Sequence, residues 1–195
     1  MARHTHEFPA FGSTYRVTDL SAAEAFRLFL SEGAAAEVDP LAVLRAAHAE
    51  VIAPAATAPS AGETGEWLRL DSRAAVNRLV RDPACGVANH IVLAGLLRLI
   101  RERNIGFLLD GSWLPVPIPS RLRSGVEPVR LAHVDPILST LVANSLASLR
   151  ELQEFYSLRD AFDMFDIFSA DSLNKALASE AAVADAKKSG AAGRR

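Results

Sequence analysis

The longest helical pattern in the chain lies between Asp135 and Phe168. Asp135-Pro136 reads as a helix start, because Asp accepts from the free N–H groups of a first turn and Pro has no N–H to leave unpaired. Ile137, Leu138, Leu141, Val142, Ser145, Leu146, Leu149 and Leu152 then recur at the spacing of one helix face. Past Phe155-Tyr156, Phe162, Phe165 and Phe168 stand three apart, and Asp160, Asp163 and Asp166 repeat the spacing two residues earlier. Two residues are about 200° around a helix, which predicts aromatic and acidic rows on roughly opposite sides. Such a segment is expected to lay its aromatic side on something.

Earlier in the chain, Glu7 to Val17 predicts a small hairpin around Gly12-Ser13, with Pro9 favouring an edge. Ser21-Ala22-Ala23-Glu24 is a capping box ahead of a helix faced by Ala22, Ala25, Phe26, Phe29 and Leu30 and ended at Gly33. Asp39-Pro40 opens a second helix with Leu41, Leu44, His48 and Val51 on one side. Asp71-Ser72 caps a third, ahead of Ala75, Val76, Leu79 and Val80. Asp82-Pro83 opens a longer helix predicted to reach Arg103, where Val87, Ile91, Ala94, Leu97 and Ile100, with Leu93, Leu96 and Leu99 beside them, make a stripe wide enough for the central core helix. Phe107 to Val116 reads as a β-hairpin around Asp110-Gly111, and Pro115, Pro117 and Pro119 turn its second arm into an edge or polyproline-like run.

These elements predict a mainly α fold with small β-hairpins: a compact helical domain with a long C-terminal helix and a flexible tail. Residues 1–156 are expected to form the domain, with a mobile Ala, Pro, Ser and Gly-rich loop over 53–66. Residues 157–178 are expected to extend it as an amphipathic helix, and 179–195 to be a disordered tail. Ser120 to His133 reads as a polar connector.

Composition narrows the function more than the fold. Half of the 195 residues are apolar, enough for one good core. A net charge of −2 argues against binding nucleic acid by neutralising phosphates. Met1 to His6 is polar and lacks the apolar core of a signal peptide, and no apolar run reaches the roughly 18 residues that span a bilayer. A single cysteine, Cys85, excludes an internal disulfide framework and suits a reducing cytoplasm.

Candidate chemistry is sparse. His4-x-His6 reads as solvated terminus rather than metal ligands. Cys85 and His90, five apart, would point about 140° apart on one helix, so a buried small cysteine is favoured over a catalytic pair. Asp160, Asp163 and Asp166 lack the turning loop that wraps oxygens around calcium and read as a solvated face. Arg121 and Arg123 are connector arginines with no phosphate-cradling loop beside them. No catalytic residue, metal or cofactor is expected. The residues singled out as partner-binding are Phe162, Phe165, Phe168 and Trp113, balanced against burial of the Phe row in the protein's own core.

The block Phe11-Gly12-Ser13-Thr14-Tyr15-Arg16-Val17-Thr18-Asp19-Leu20-Ser21-Ala22 resembles the opening of phage tail assembly chaperones. Trp113 to Pro117 and the helix of Ile137 to Tyr156, ending in aromatics, are similar to later features of that family. The Ala/Pro loop and everything after Tyr156 depart from its pattern. The resemblance implies a non-enzymatic factor of the host cytoplasm that binds the tape-measure protein and delivers it to tail-tube subunits, with no nucleic acid or membrane among its partners. The alternative is a structural tail or baseplate subunit of the virion, whose aromatic helix is buried between subunits. An enzyme would have to rest on Cys85.

Overall fold

The computed structural model describes residues 3–31, 38–52, 66–82, 85–122 and 134–192, with side chains through Lys187. The fold is mainly α, with one small antiparallel sheet and a long C-terminal helix. Strands β1 (Thr5–Ala10) and β2 (Ser13–Thr18) form the expected hairpin, in register from Thr5 opposite Thr18 to Ala10 opposite Ser13. Its turn residues Phe11 and Gly12 both have positive φ, 50° and 71°, the requirement of a two-residue type I′ turn. The hairpin is half of a larger sheet. Strands β3 (Glu50–Ile52) and β4 (Leu68–Arg69) extend it in the order β1-β2-β3-β4.

Helices α1 (Ala22–Phe29), α2 (Pro40–Ala46) and α3 (Arg73–Leu79) start at the predicted caps. The Ser21 hydroxyl accepts from Glu24 N at 3.3 Å, Asp39 Oδ1 from Leu41 N at 3.1 Å, and Ser72 Oγ from Ala75 N at 3.2 Å. Helix α2 stops earlier than its apolar periodicity suggests. His48 takes φ 45°, its N–H bonds to Arg45 O and the Ala49 N–H to Leu44 O, and the chain reverses into β3. Val51, expected on that helix, is therefore a core residue of a strand. Gly33, the loop 53–65 and Arg123 to His133 lie outside the described residues.

Helix α4 (Asn89–Leu109) is central, but both of its ends differ from expectation. Asp82 Oδ1 accepts from Cys85 N at 2.9 Å, and Gly86 has φ 64°, so the chain turns there and the helix begins only at Asn89. At the other end, Phe107 to Leu109 form the last helical turn and not a strand; Asp110 caps it, and Gly111 follows with φ 72°. Asp-Gly serves equally as a hairpin turn and as a helix exit, and here the exit wins. The buried line is Val92, Leu96, Ile100 and Asn104. Of the expected wide stripe, Leu96 and Ile100 lie on this line, whereas Ile91 is 53% exposed and Leu97 half-buried. Asn104 ties the helix to the sheet exit: its Oδ1 accepts from Leu20 N and its Nδ2 donates to Ile100 O, each at 2.8 Å.

The expected single helix after Asp135 is three: α5 (Pro136–Ala143), α6 (Leu149–Glu154) and α7 (Leu158–Ala192). Asp135 Oδ1 caps Ile137 N at 2.7 Å as predicted. Ser145, at φ 58°, then ends α5, with Leu146 N bonding back to Leu141 O. Ser148 and Glu151 form a capping box that restarts the chain as α6. Ser157 and Asp160 repeat that arrangement for α7: Asp160 Oδ2 accepts from Ser157 N at 2.9 Å, and Ser157 Oγ accepts from Asp160 N at 3.2 Å. Helix α1 packs on α4, α6 and α7, and Ala22 N donates to Tyr156 O at 2.8 Å, so the starts of α1 and α7 are stitched together. Helix α7 passes the boundary expected at residue 178 without a break.

Candidate functional site

Two of the aromatic residues singled out in the sequence, Trp113 and Phe162, meet on the first turns of α7. Phe162 stands edge-on to two rings, Phe107 at 5.4 Å and 80°, and Trp113 at 4.8 Å and 82° between centroids. It is 5% exposed and belongs to the protein's own core with Leu158 and Ala161. Phe165 and Phe168 are only half-buried, and Ile167 between them is 71% exposed. The row therefore divides: its first ring closes the domain and the rest rides at its margin. A repeat of three advances about 300° per step, so such a row winds around the helix rather than marking a face.

The same winding displaces the acidic row. Asp166 stands four residues after Phe162, only about 40° away around the helix, and its Oδ2 accepts from Trp113 Nε1 at 2.7 Å. Its Oδ1 is buried without a hydrogen-bond partner among the described residues. Asp160 is occupied in the cap of α7, and Asp163 alone is solvent-exposed. Arg159 covers the Phe107 ring at 5.5 Å. A shallow recess bounded by Phe107, Trp113, Arg159, Asp163 and Asp166 lies at this junction.

Trp113 is not on a hairpin arm. It opens an extended segment, 112–119, that ends in a short 3-10 turn, Ser120–Leu122. Trp113, Val116, Pro119 and Leu122 are half-buried, and every residue between them is exposed. Burial at every third residue is the signature of a polyproline-II strand lying on a surface, and Pro115, Pro117 and Pro119 favour that conformation. The surface is α7. Trp113 is held at Asp166 and Arg121 Nε bonds Glu180 Oε2 at 3.0 Å. Eight residues of polyproline-II span about 25 Å, and the fourteen helical residues between the two anchors span about 21 Å. The segment is a strap running in the direction of α7. Leu114 (79% exposed) and Ile118 (48%) face outward from it.

Other candidates fall elsewhere. His6 lies in β1 rather than a solvated terminus, with Nε2 at 3.0 Å from Asp19 Oδ1. Cys85 is exposed in the turn before α4, not buried on a helix, and His90 is exposed on the first turn of α4. Among the described residues, no group of three or more His, Cys, Asp or Glu is arranged to hold a metal ion, and no helix is long and apolar enough to cross a membrane. No protein-family model, curated protein or solved structure matches the chain.

Proposed function

We propose that the protein is a non-enzymatic phage tail assembly chaperone, an adaptor that holds the tape-measure protein and presents it to tail-tube subunits in the host cytoplasm. The observation that supports a protein-binding role is the state of α7. Only its first turns are buried; Ile167 and Val183 are 71% and 51% exposed, and Phe165 and Phe168 sit half-covered at the margin. A 35-residue helix is about 52 Å long, and its side chains from Ala178 to Lys187 are all exposed. Apolar groups on such a helix lose their contact with water when a second chain docks. The tail-assembly part rests on the resemblance of Phe11 to Ala22, Trp113 to Pro117 and Ile137 to Tyr156 to that family.

The test is co-purification with the tape-measure protein of the same phage genome. Phe165→Ala and Ile167→Ala are expected to weaken capture by at least about tenfold, since central interface anchors contribute about 2 kcal/mol or more each, while thermal unfolding stays near wild type. Purified virions should lack the protein. Its presence there in fixed copy number would replace the chaperone with the structural tail or baseplate subunit. Unchanged capture by both variants would remove α7 as the docking element.

A further inference from the structure

A cleft of about 480 Å³ opens between the chain ahead of β1 and helices α1, α2 and α6. Ala42 and Ala46, one turn apart on α2, line it without filling it, and Arg3, Arg27, Arg45, His48 and Gln153 bring nitrogen donors to it. Glu24 and Glu154 complete the lining, and both are engaged. The two carboxylate oxygens of Glu154 each accept from Arg150 Nε at 3.1 Å. Glu24 Oε2 accepts from Ser21 Oγ at 3.2 Å and lies 3.7 Å from Arg3 Nη1. With Arg150 counted, four guanidiniums stand against two carboxylates. The excess belongs to Arg27 and Arg45. The Arg27 side chain has no partner among the described residues, and Arg45 is held through Nε alone, which donates to Asp71 O at 2.7 Å. The Nη nitrogens of Arg45 are thus left for a ligand.

His48 is an independent sign. Its φ of 45° is what the exit of α2 requires, and a glycine would meet that need without strain. Histidine instead sets an imidazole at the cleft, with Nε2 at 3.5 Å from Arg3 Nη2. A guanidinium only donates, so Nε2 accepts and the ring proton stays on Nδ1 as one more donor. The shape of the donor set selects the anion. A planar carboxylate is matched by one guanidinium fork, whereas donors carried by α1, α2, α6 and the α2 exit suit a group with oxygens in several directions.

We propose that this cleft is a binding site for a phosphate group, held by Arg27, Arg45 and His48, with Arg3 positioning the imidazole. The site lies apart from α7 and does not rest on the tail-assembly reading.

Inorganic phosphate, acetate, glycerol phosphate and a phosphoserine flanked by alanines serve as probes of the full chain, by NMR of the arginine Nε and His48 ring signals at fixed ionic strength. Phosphate is expected to shift the Arg27, Arg45 and His48 signals at millimolar concentration and to bind at least tenfold more tightly than acetate. Arg27→Gln should weaken phosphate about tenfold, the worth of one charge-assisted hydrogen bond. Its unfolding midpoint should stay that of the wild type, because the side chain it replaces is exposed and unpartnered among the described residues. His48→Gly should weaken phosphate while raising the midpoint, since it removes a donor and relieves the positive φ. Tighter binding of the phosphoserine peptide makes the ligand a modified side chain of a partner, and tighter binding of glycerol phosphate makes it a free phosphate ester; either result upholds the site. The proposal is overturned if phosphate leaves the three signals unmoved at millimolar concentration, if acetate binds as tightly as phosphate, or if neither Arg27→Gln nor Arg45→Gln weakens phosphate.

Discussion

Asn104 is the only buried side chain on α4 that is polar among the described residues, and its replacement gives a sharp test of how the helical layer is joined to the sheet. The residue is 6% exposed and makes two bonds of unequal consequence. The bond from Nδ2 to Ile100 O stays within the helix and decorates a carbonyl that already belongs to a helical turn. The bond from Leu20 N to Oδ1 reaches across 84 positions of sequence to a residue that is 0% exposed, in the link between β2 and α1. Truncation to Ala leaves the Leu20 N–H without that acceptor, where water has poor access.

An orphaned buried donor costs about 1–3 kcal/mol, and the lost side-chain volume adds a cavity contribution of order 1 kcal/mol. Asn104→Ala is thus expected to lower stability by about 2–4 kcal/mol, a large share of the 5–15 kcal/mol typical of a domain. Asn104→Leu restores the volume but not the acceptor, and should recover only the smaller part. Urea denaturation followed by far-UV circular dichroism measures the loss, and hydrogen exchange at the Leu20 amide locates it. A loss under about 0.5 kcal/mol with the Leu20 amide still protected would mean that the link is held by its apolar neighbours alone.

A Cβ at Gly95 would lie 2.4 Å from Phe11 Cζ, so Gly95→Ala should drive the ring from α4 at a cost of about 1–3 kcal/mol; the double variant with Phe11→Ala should cost less than the sum of the singles in denaturation. Phe162→Ala should destabilise by about 3–5 kcal/mol, whereas Phe168→Ala should change the unfolding midpoint little. Burial raises the Asp135 carboxyl above its ordinary value of 3.8, despite the bond from Ile137 N. Its protonation is therefore favoured in the folded state, and its contribution to stability declines as pH rises from 3.8 through the raised value; Asp135→Asn, which keeps an acceptor for Ile137, should flatten that decline in unfolding curves taken across acid pH.

The parts of the fold legible in the sequence are those fixed by neighbours in the chain. Capping residues at Ser21, Asp39, Ser72 and Asp135 announce helix starts because the bond they make is local. The Phe11-Gly12 turn is legible for the same reason. Periodicity misleads where a short cap can interrupt it. Leu146, Leu149 and Leu152 continue the stripe of α5, yet Ser148-x-x-Glu151 and Ser157-x-x-Asp160 carry the same signature as Ser21-x-x-Glu24 and divide the stripe into three helices. Those signals were present in the sequence; the apolar count masked them. His48 and Ser145 offer no comparable cue, since neither residue type advertises a positive φ as glycine does. Strands β3 and β4, of three and two residues, are set by pairing partners far along the chain and have almost no local pattern.

The site follows the same division. That Trp113 meets Phe162 and Asp166 could not be read from residue type, because the 53 positions between Trp113 and Asp166 are closed only by the tertiary fold. The strap explains why the two signals belong together. Three prolines at every second position resist a sheet, which needs N–H donors, and favour a conformation whose side chains repeat every third residue. One side of that threefold strand, Trp113, Val116, Pro119 and Leu122, is half-buried, and the partners of its two anchors, Asp166 and Glu180, both lie on α7. The strap takes up one side of α7. Ile167 lies about 140° around the helix from Phe162, the ring against Trp113, and is 71% exposed. The proposed docking role is placed on α7 rather than on the strap because the strap is tied down at both ends, by Trp113 to Asp166 and Arg121 to Glu180, whereas the side of α7 that carries Ile167 stays open to solvent.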